Sequence, residues 1–236
     1  MKYRIYQSFW DLVDYVYPPT CAACGKEGDR FCLQCQLKVI EISAPFCRKC
    51  GRQILLDDIC EDCIETPPPY DALRSLAEFN GPLRDALHHL KYRSDIALGD
   101  TLSRPLIRLL KEYNWDIEIV IPIPIGKQHH KESGYNQAAL IAYPIALALG
   151  INYSDKLIKR IKETKSQVNL SSAERFKNLY SAFQGNSAKL NGKKVLLVDD
   201  VTTTGATMIS CAKALVESGC ERIYCLTVAK TPKYHQ

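Results

Sequence analysis

Four C-x2-C pairs, Cys21/Cys24, Cys32/Cys35, Cys47/Cys50 and Cys60/Cys63, crowd the first 63 residues and leave that stretch few ways to fold. A C-x2-C turn aims two sulfurs at one ion, and two such turns complete the tetrahedral thiolate shell that Zn2+ accepts without geometric strain. Eight thiols therefore predict two structural zinc ions. Two groupings satisfy the spacing: a sequential one, Cys21/Cys24/Cys32/Cys35 with Cys47/Cys50/Cys60/Cys63, in which each set closes a short ribbon, and an interleaved cross-brace. The segment holds few large aliphatics and cannot build much core, so metal binding is expected to supply its folding free energy. A disulfide framework fits poorly. Lys2, Arg4, Asp11 and Asp14 charge the first segment, and no run of about 18 apolar residues is present to form a membrane span. A cytoplasmic chain with reduced thiols is expected. Cys211, Cys220 and Cys225 lie in an apolar pattern near the other end and read as core packing.

A second feature carries chemistry. Val195-Leu196-Leu197-Val198 reads as a central parallel strand, apolar throughout because both faces are covered. It runs into Asp199-Asp200, then Val201-Thr202-Thr203-Thr204-Gly205-Ala206-Thr207, then a helical spacing of Met208, Cys211, Leu215 and Val216 closed by Gly219. In open α/β sheets ligands bind at the carboxyl ends of strands, and the N-terminus of the next helix offers unpaired N–H groups and a positive dipole end to an anion. Thr202, Thr203, Thr204, Gly205, Ala206 and Thr207 form that phosphate loop, with Gly205 supplying conformational freedom and the hydroxyls adding donors. Asp199 and Asp200 can accept hydrogen bonds from two vicinal sugar hydroxyls. Together they describe a cradle for a 5-phosphoribosyl group.

The remaining chain supports one α/β body. Pro67-Pro68-Pro69 marks the passage from ribbons to body, dividing the chain into a helix at 1–19, a double ribbon at 20–66 and a body at 70–236. Tyr3, Tyr6, Trp10, Val13 and Tyr17 form the stripe of an amphipathic helix stopped by Pro18-Pro19. Leu83, Ala86, Leu87 and Leu90 predict a helix after Asn80-Gly81-Pro82 that carries Lys91 toward the phosphate site. Glu118 to Pro124 is a second buried strand, and a helix follows from Ala138 to Leu149. No internal repeat is apparent.

The string Val195 to Thr207 resembles the PRPP-binding signature of type I phosphoribosyltransferases. Leu90-Lys91-Tyr92, Pro122-Ile123-Pro124, Gly134-Tyr135-Asn136-Gln137, Thr164 with Gln167, and Arg175 with Asn178 occur in the order found in ComF-type proteins, a resemblance spanning nearly the whole chain. It implies a parallel-sheet phosphoribosyltransferase-like domain with a small amino-terminal zinc-ribbon domain, in the sequential ligand grouping. It also implies a role in natural competence, with imported single-stranded DNA and the competence machinery as partners. PRPP or a nucleotide 5′-phosphate is the implied ligand, with Mg2+ accompanying PRPP. Asp199 and Asp200 are the implied catalytic acids, and Asn136 and Gln137 join the ligand contacts, against a plain helix-capping role. Amidophosphoribosyltransferase-like activity is the implied enzymatic alternative, and a PRPP or nucleotide sensor without turnover is a third. The chain departs from ComF relatives at Gln128-His129-His130-Lys131-Glu132-Ser133, where an arginine-rich loop gives way to histidines charged only at lower pH.

Net charge is +5, and the stretch Lys156 to Lys177, with seven cations and two acids, accounts for all of it. Two tetrathiolate zinc sites would lower the total to about +1, so bulk charge alone will not hold DNA. Lys159, Arg160, Lys162, Lys165 and Arg175, with Gln167 and Asn178 as further donors, are the candidate nucleic-acid groove. Lys26, Arg30, Arg48, Lys49 and Arg52, interleaved with Phe31 and Phe46, offer a second one on the ribbons.

Overall fold

The computed structural model describes residues 2–55, 58–93, 95–126, 133–161 and 182–232. Five strands, β1 (Ala72–Glu78), β2 (Ile119–Pro122), β3 (Asn152–Tyr153), β6 (Lys194–Thr202) and β7 (Arg222–Lys230), form a sheet in the order β1-β7-β6-β2-β3. Every pairing is parallel. β4 (Ile158–Arg160) and β5 (Phe183–Gly185) make a separate antiparallel pair.

The apolar run in β6 has the expected cause. Leu196 and Val198 pack into the layer of α4 (Gly81–Tyr92), α5 (Leu98–Tyr113) and α6 (Gln137–Leu149). Val195 and Leu197 pack on the opposite face with Met208, Cys211 and Leu215 of α8 (Ala206–Glu217), beside the β4–β5 pair and the short α7 (Ser187–Leu190). Cys211 and Cys225 are fully buried there, as core packing requires. Helix α5, absent from the expected elements although Leu98, Leu102, Leu106 and Leu110 recur every fourth residue, crosses α6 at Gly99, where a Cβ would lie 2.8 Å from the Leu140 carbonyl oxygen. Only a bare backbone permits that approach.

Helix α1 (Lys2–Val16) stops before Pro18-Pro19 and packs on the body, with Tyr6 edge-on to Tyr143 of α6 at 5.9 Å between ring centroids. Arg30 joins three units at once, pairing with Asp14 of α1 and, at 2.6 Å, with Asp95 of the body.

The ribbons are bound into the body. Residues 40–42, which link the two cysteine sets, lie antiparallel along β1, with Ile42 N–H donating to Leu76 O at 3.0 Å and Glu78 N–H to Ile40 O at 2.9 Å. The sheet edge at β1 is thereby covered. The second ribbon docks further along the same strand: Leu73 N–H donates to Lys49 O at 2.7 Å, and Arg74 Nη1 to Arg48 O at 3.0 Å.

An internal repeat exists after all. Gly25 N–H donates to Cys21 O at 2.8 Å and Gly51 N–H to Cys47 O at 2.9 Å; Cys21 N–H donates to Lys26 O and Cys47 N–H to Arg52 O, both at 2.7 Å. α2 (Leu33–Gln36) and α3 (Glu61–Glu65) each carry the final cysteine of a set. The sequence carries the repeat only as Cys-x2-Cys-Gly followed by Lys26 or Arg52 and then a second Cys-x2-Cys, because the side chains between the ligands face different neighbours.

Candidate ribose-phosphate site and zinc centres

The cysteines resolve into the sequential grouping. Sulfurs of Cys21, Cys24, Cys32 and Cys35 lie within 4.8 Å of one another, as do those of Cys47, Cys50, Cys60 and Cys63. The Cys24–Cys32 and Cys50–Cys60 sulfur separations are both 3.7 Å, close to the roughly 3.8 Å edge of a tetrahedron with Zn–S near 2.3 Å. Backbone N–H groups of Cys32 and Cys60 point at the Cys21 and Cys47 sulfurs, each at 3.4 Å, where they would stabilise thiolate charge. Both sets fit Zn2+. The interleaved cross-brace is not formed.

The two centres differ in setting. Cys21, Cys32 and Cys35 belong to the main core with Phe31, whereas among the described residues Cys47, Cys60 and Cys63 form a cluster of their own with Cys50, Ile54 and Ile59 against it. Metal must therefore hold the second ribbon more nearly alone.

At the centre of the sheet, β2 and β6 are neighbours whose following connections lead to opposite sides, β2 to β3 and β6 to β7. That is the topological switch point at which open α/β sheets bind ligands. Strand β6 runs further than its apolar stretch suggests and includes Asp199 and Asp200, because its ladder with β7 continues to Thr202 opposite Lys230. The acids thus sit on the last turn of pairing and are held by backbone. Asp199 Oδ1 accepts from Asp200 N–H at 3.0 Å and Asp200 Oδ1 from Val201 N–H at 2.8 Å.

The loop beyond is tight. Gly205, at φ +78°, takes the left-handed conformation at the N-cap of α8, which a Cβ would penalise. Thr202 is buried, Thr203 and Thr204 are exposed, and Gly205, Ala206 and Thr207 are half-buried. The Thr204 hydroxyl accepts from Ala206 N–H at 3.4 Å.

Burial and the adjacent Asp200 charge push the Asp199 carboxyl well above the usual carboxylate range, while the positive charge of Lys91 opposes them. Lys91 lies in the last turn of α4, where the Tyr135 hydroxyl donates to the neighbouring carbonyl of Leu90. Asn136 is an N-cap: its Oδ1 accepts from Ala138 N–H at 3.1 Å and its Nδ2 donates to Ile123 O at 2.9 Å. It holds the β2 exit loop against α6 beside the crevice. Gln137 is buried in the first turn of α6.

The basic residues distribute differently from a single groove. Lys159 and Arg160 are on β4, and Arg160 turns toward the crevice: a Cβ on Gly126 would lie 3.5 Å from its Nη1, and its charge reaches Cys211 beneath Asp199. Lys162, Lys165, Gln167, Arg175 and Asn178 lie outside the described residues, as do His129 and His130. On the ribbons, several residues read as nucleic-acid contacts serve packing. Arg30 is ion-paired, Phe31 is buried, and Phe46 stacks beneath the Arg74 guanidinium at 4.4 Å and beside Tyr113. Arg52 pairs with Asp62, and Lys49 Nζ donates to Tyr70 O at 3.4 Å. Spacing alone cannot distinguish a cation aimed at solvent from one that pins a ribbon to a strand.

Sequence reasoning missed Lys230. It lies at the end of β7 beside the loop, burial pushes its ammonium below the ordinary range, and its Nζ donates to Cys50 O at 2.7 Å. Its buried strand context, Leu226, Val228 and Ala229, gave no sign that it would bridge the sheet to a metal turn.

Comparison with known proteins agrees with this architecture. The Double zinc ribbon domain family matches residues 12–64 and the Phosphoribosyl transferase domain family residues 135–235. Competence protein F of Haemophilus influenzae is 30% identical over 200 residues, covering 81% of this chain and 86% of its own. DNA utilization protein YhgH of Salmonella typhimurium is 29% identical over 213 residues, 87% of each chain. Among solved structures, glutamine phosphoribosylpyrophosphate amidotransferase from B. subtilis gives a TM-score of 0.42 at 18% identity, over 60% of this chain and 30% of that one. No helix among the described residues is long and apolar enough to cross a membrane. With its two zinc ribbons joined to a phosphoribosyltransferase-type domain, this chain belongs to the ComF family of competence protein F.

Proposed function

We propose that the protein handles imported single-stranded DNA in the cytoplasm and that its body binds PRPP or a related ribose 5-phosphate. One observation carries the ligand reading: Asp199, Asp200, Lys91 and the Gly205 loop converge at the switch point between β2 and β6. The loop offers N–H groups to a phosphate, the acid pair accepts from ribose hydroxyls, and Thr203 and Thr204 add exposed hydroxyls. The names of the relatives, a competence protein and a DNA utilization protein, support the DNA reading.

A second reading is Mg-dependent transfer, in which an amine attacks C1′ of PRPP and pyrophosphate departs. It is favoured by the placement of Lys91 and Arg160 near the crevice, where cations suit the leaving group. Mg2+, bound with PRPP, would supply further charge neutralisation, and the acids of β6 are the residues that would hold it there. Binding without turnover would make the same site a sensor.

Titration of the zinc-loaded protein with fluorescent single-stranded DNA, with and without Mg-PRPP and at several salt concentrations, separates these readings. DNA handling predicts binding that weakens with salt, log K falling by roughly 0.7 per phosphate contact for each decade, with no pyrophosphate release. Absent DNA binding and acceptor-dependent pyrophosphate release would overturn it in favour of the transferase.

A further inference from the structure

The loop at the start of α8 is approached from two sides. On one lies the crevice with Asp199 and Asp200; on the other a cavity of about 420 Å3 separates the loop from the second ribbon. Thr203, Gly205 and Ile209 form its floor, Arg52 and Thr66 belong to its roof, and Tyr70 closes one wall. Neither acid lines it. The volume falls in the range of about 300–1,000 Å3 typical of small-molecule sites.

The cavity is held open by fixed contacts. Lys230 Nζ ties the end of β7 to Cys50 O at 2.7 Å, and a Cβ on Gly51 would lie 2.5 Å from Leu73 O, so the roof meets the sheet backbone to backbone. Both lining cations are engaged, and Glu78 adds a carboxylate that accepts from Asn80 Nδ2 at 2.9 Å. Arg52 pairs with Asp62, and Lys230 is engaged by a carbonyl. A second phosphate gains little there, whereas an uncharged ring system with a few polar edges suits apolar walls interrupted by hydroxyls and a guanidinium.

A monoester phosphate needs only one side of such a loop. A phosphodiester carries an ester on each side. We propose that the cavity receives the nucleoside esterified to the far side of a phosphate held by the loop, so that the site takes the terminal dinucleotide step of a single strand ending in a ribonucleotide, with the 2′,3′-diol of the last ribose at Asp199 and Asp200. The proposal rests on the ribose-phosphate reading of the loop. It gives the second zinc ribbon a task in ligand binding as the roof over the penultimate nucleoside.

The test compares three probes by calorimetry on the full zinc-loaded chain: ribose 5-phosphate, the methyl ester of uridine 5′-monophosphate, and the dinucleotide uridylyl-uridine. The last two carry the same diester charge and differ by one nucleoside. The wild type should bind the dinucleotide at least tenfold more tightly than the methyl ester. Ile209→Trp, which fills the floor, and separately Thr66→Trp, which fills the roof from an exposed position, should erase that preference while leaving ribose 5-phosphate affinity and zinc content unchanged. Equal affinity for the two diesters in the wild type, or a preference surviving in both variants, overturns the cavity assignment alone. Absence of ribose 5-phosphate binding overturns the cradle and the cavity together.

Discussion

Asp199, in the proposed ribose-phosphate site, carries a charge that opposes stability. Half-buried on the last paired stretch of β6, it faces the negative charge of Asp200 and gains only partial relief from Lys91. Its proton is held more tightly in the folded chain than in the unfolded one, where an aspartate titrates near pH 3.9. Between those two values the native state binds the extra proton, so stability falls as pH rises from about 4 through the raised native value, and the full cost remains above it. Asp199→Asn removes the charge and keeps an oxygen to accept from Asp200 N–H. It is predicted to raise the melting temperature at pH 8 while leaving it nearly unchanged at pH 4, each kcal/mol relieved being worth about 2–4 °C in a chain of this size. Scanning calorimetry at the two pH values checks this; a variant less stable than wild type at pH 8 would contradict the electrostatic reading. The sequence displayed the acid pair but not this opposition, because the strain comes from β6 pairing past its apolar run.

The two ribbons repeat one set of hydrogen bonds and differ in what lies against them. Cys21, Cys32 and Cys35 share the main core with α4 and α5, whereas among the described residues the second set has Ile54 and Ile59 as its aliphatic support. Loss of metal should therefore have unequal consequences. Cys47→Ser is predicted to cost one of two zinc ions and to increase hydrogen exchange across 45–63, with the melting of the body shifted little. Cys21→Ser should cost the other ion and destabilise the body by about 2 kcal/mol or more, since it disturbs buried core packing. Equal effects, or two ions retained in either variant, would contradict the grouping. A separate prediction concerns docking: Gly51→Ala should detach the second ribbon from β1, because φ is +65° and the new methyl would meet Leu73 O. Protease cleavage confined to the ribbon would report it, and an unchanged digestion pattern would count against the contact.

The chain reads as two modules in sequence and folds as one connected body. Zinc ligation, the β6 loop and the parallel character of the sheet were legible because each depends on local patterns: thiol spacing, a continuous apolar run, a hydroxyl-rich turn with one glycine. What escaped is long-range. The pairing of residues 40–42 with β1, the Arg30 bridge from α1 to Asp95, and Lys230 reaching Cys50 join positions up to 180 residues apart, and no local pattern encodes such partners. The same distinction explains why Arg30, Phe31 and Phe46 resembled a nucleic-acid surface and proved to be packing. The covered edge of β1 and the roofed cavity follow from those contacts, and they place the second metal centre beside the phosphate loop. The proposed ribose-phosphate cradle is the element on which the proposed function turns, and calorimetric titration of Mg-PRPP into wild type and Asp200→Asn tests it directly. Saturable binding by the wild type, weakened at least tenfold in the variant with two zinc ions still bound, is the predicted result; equal affinity in both proteins, or none in the wild type, would contradict it.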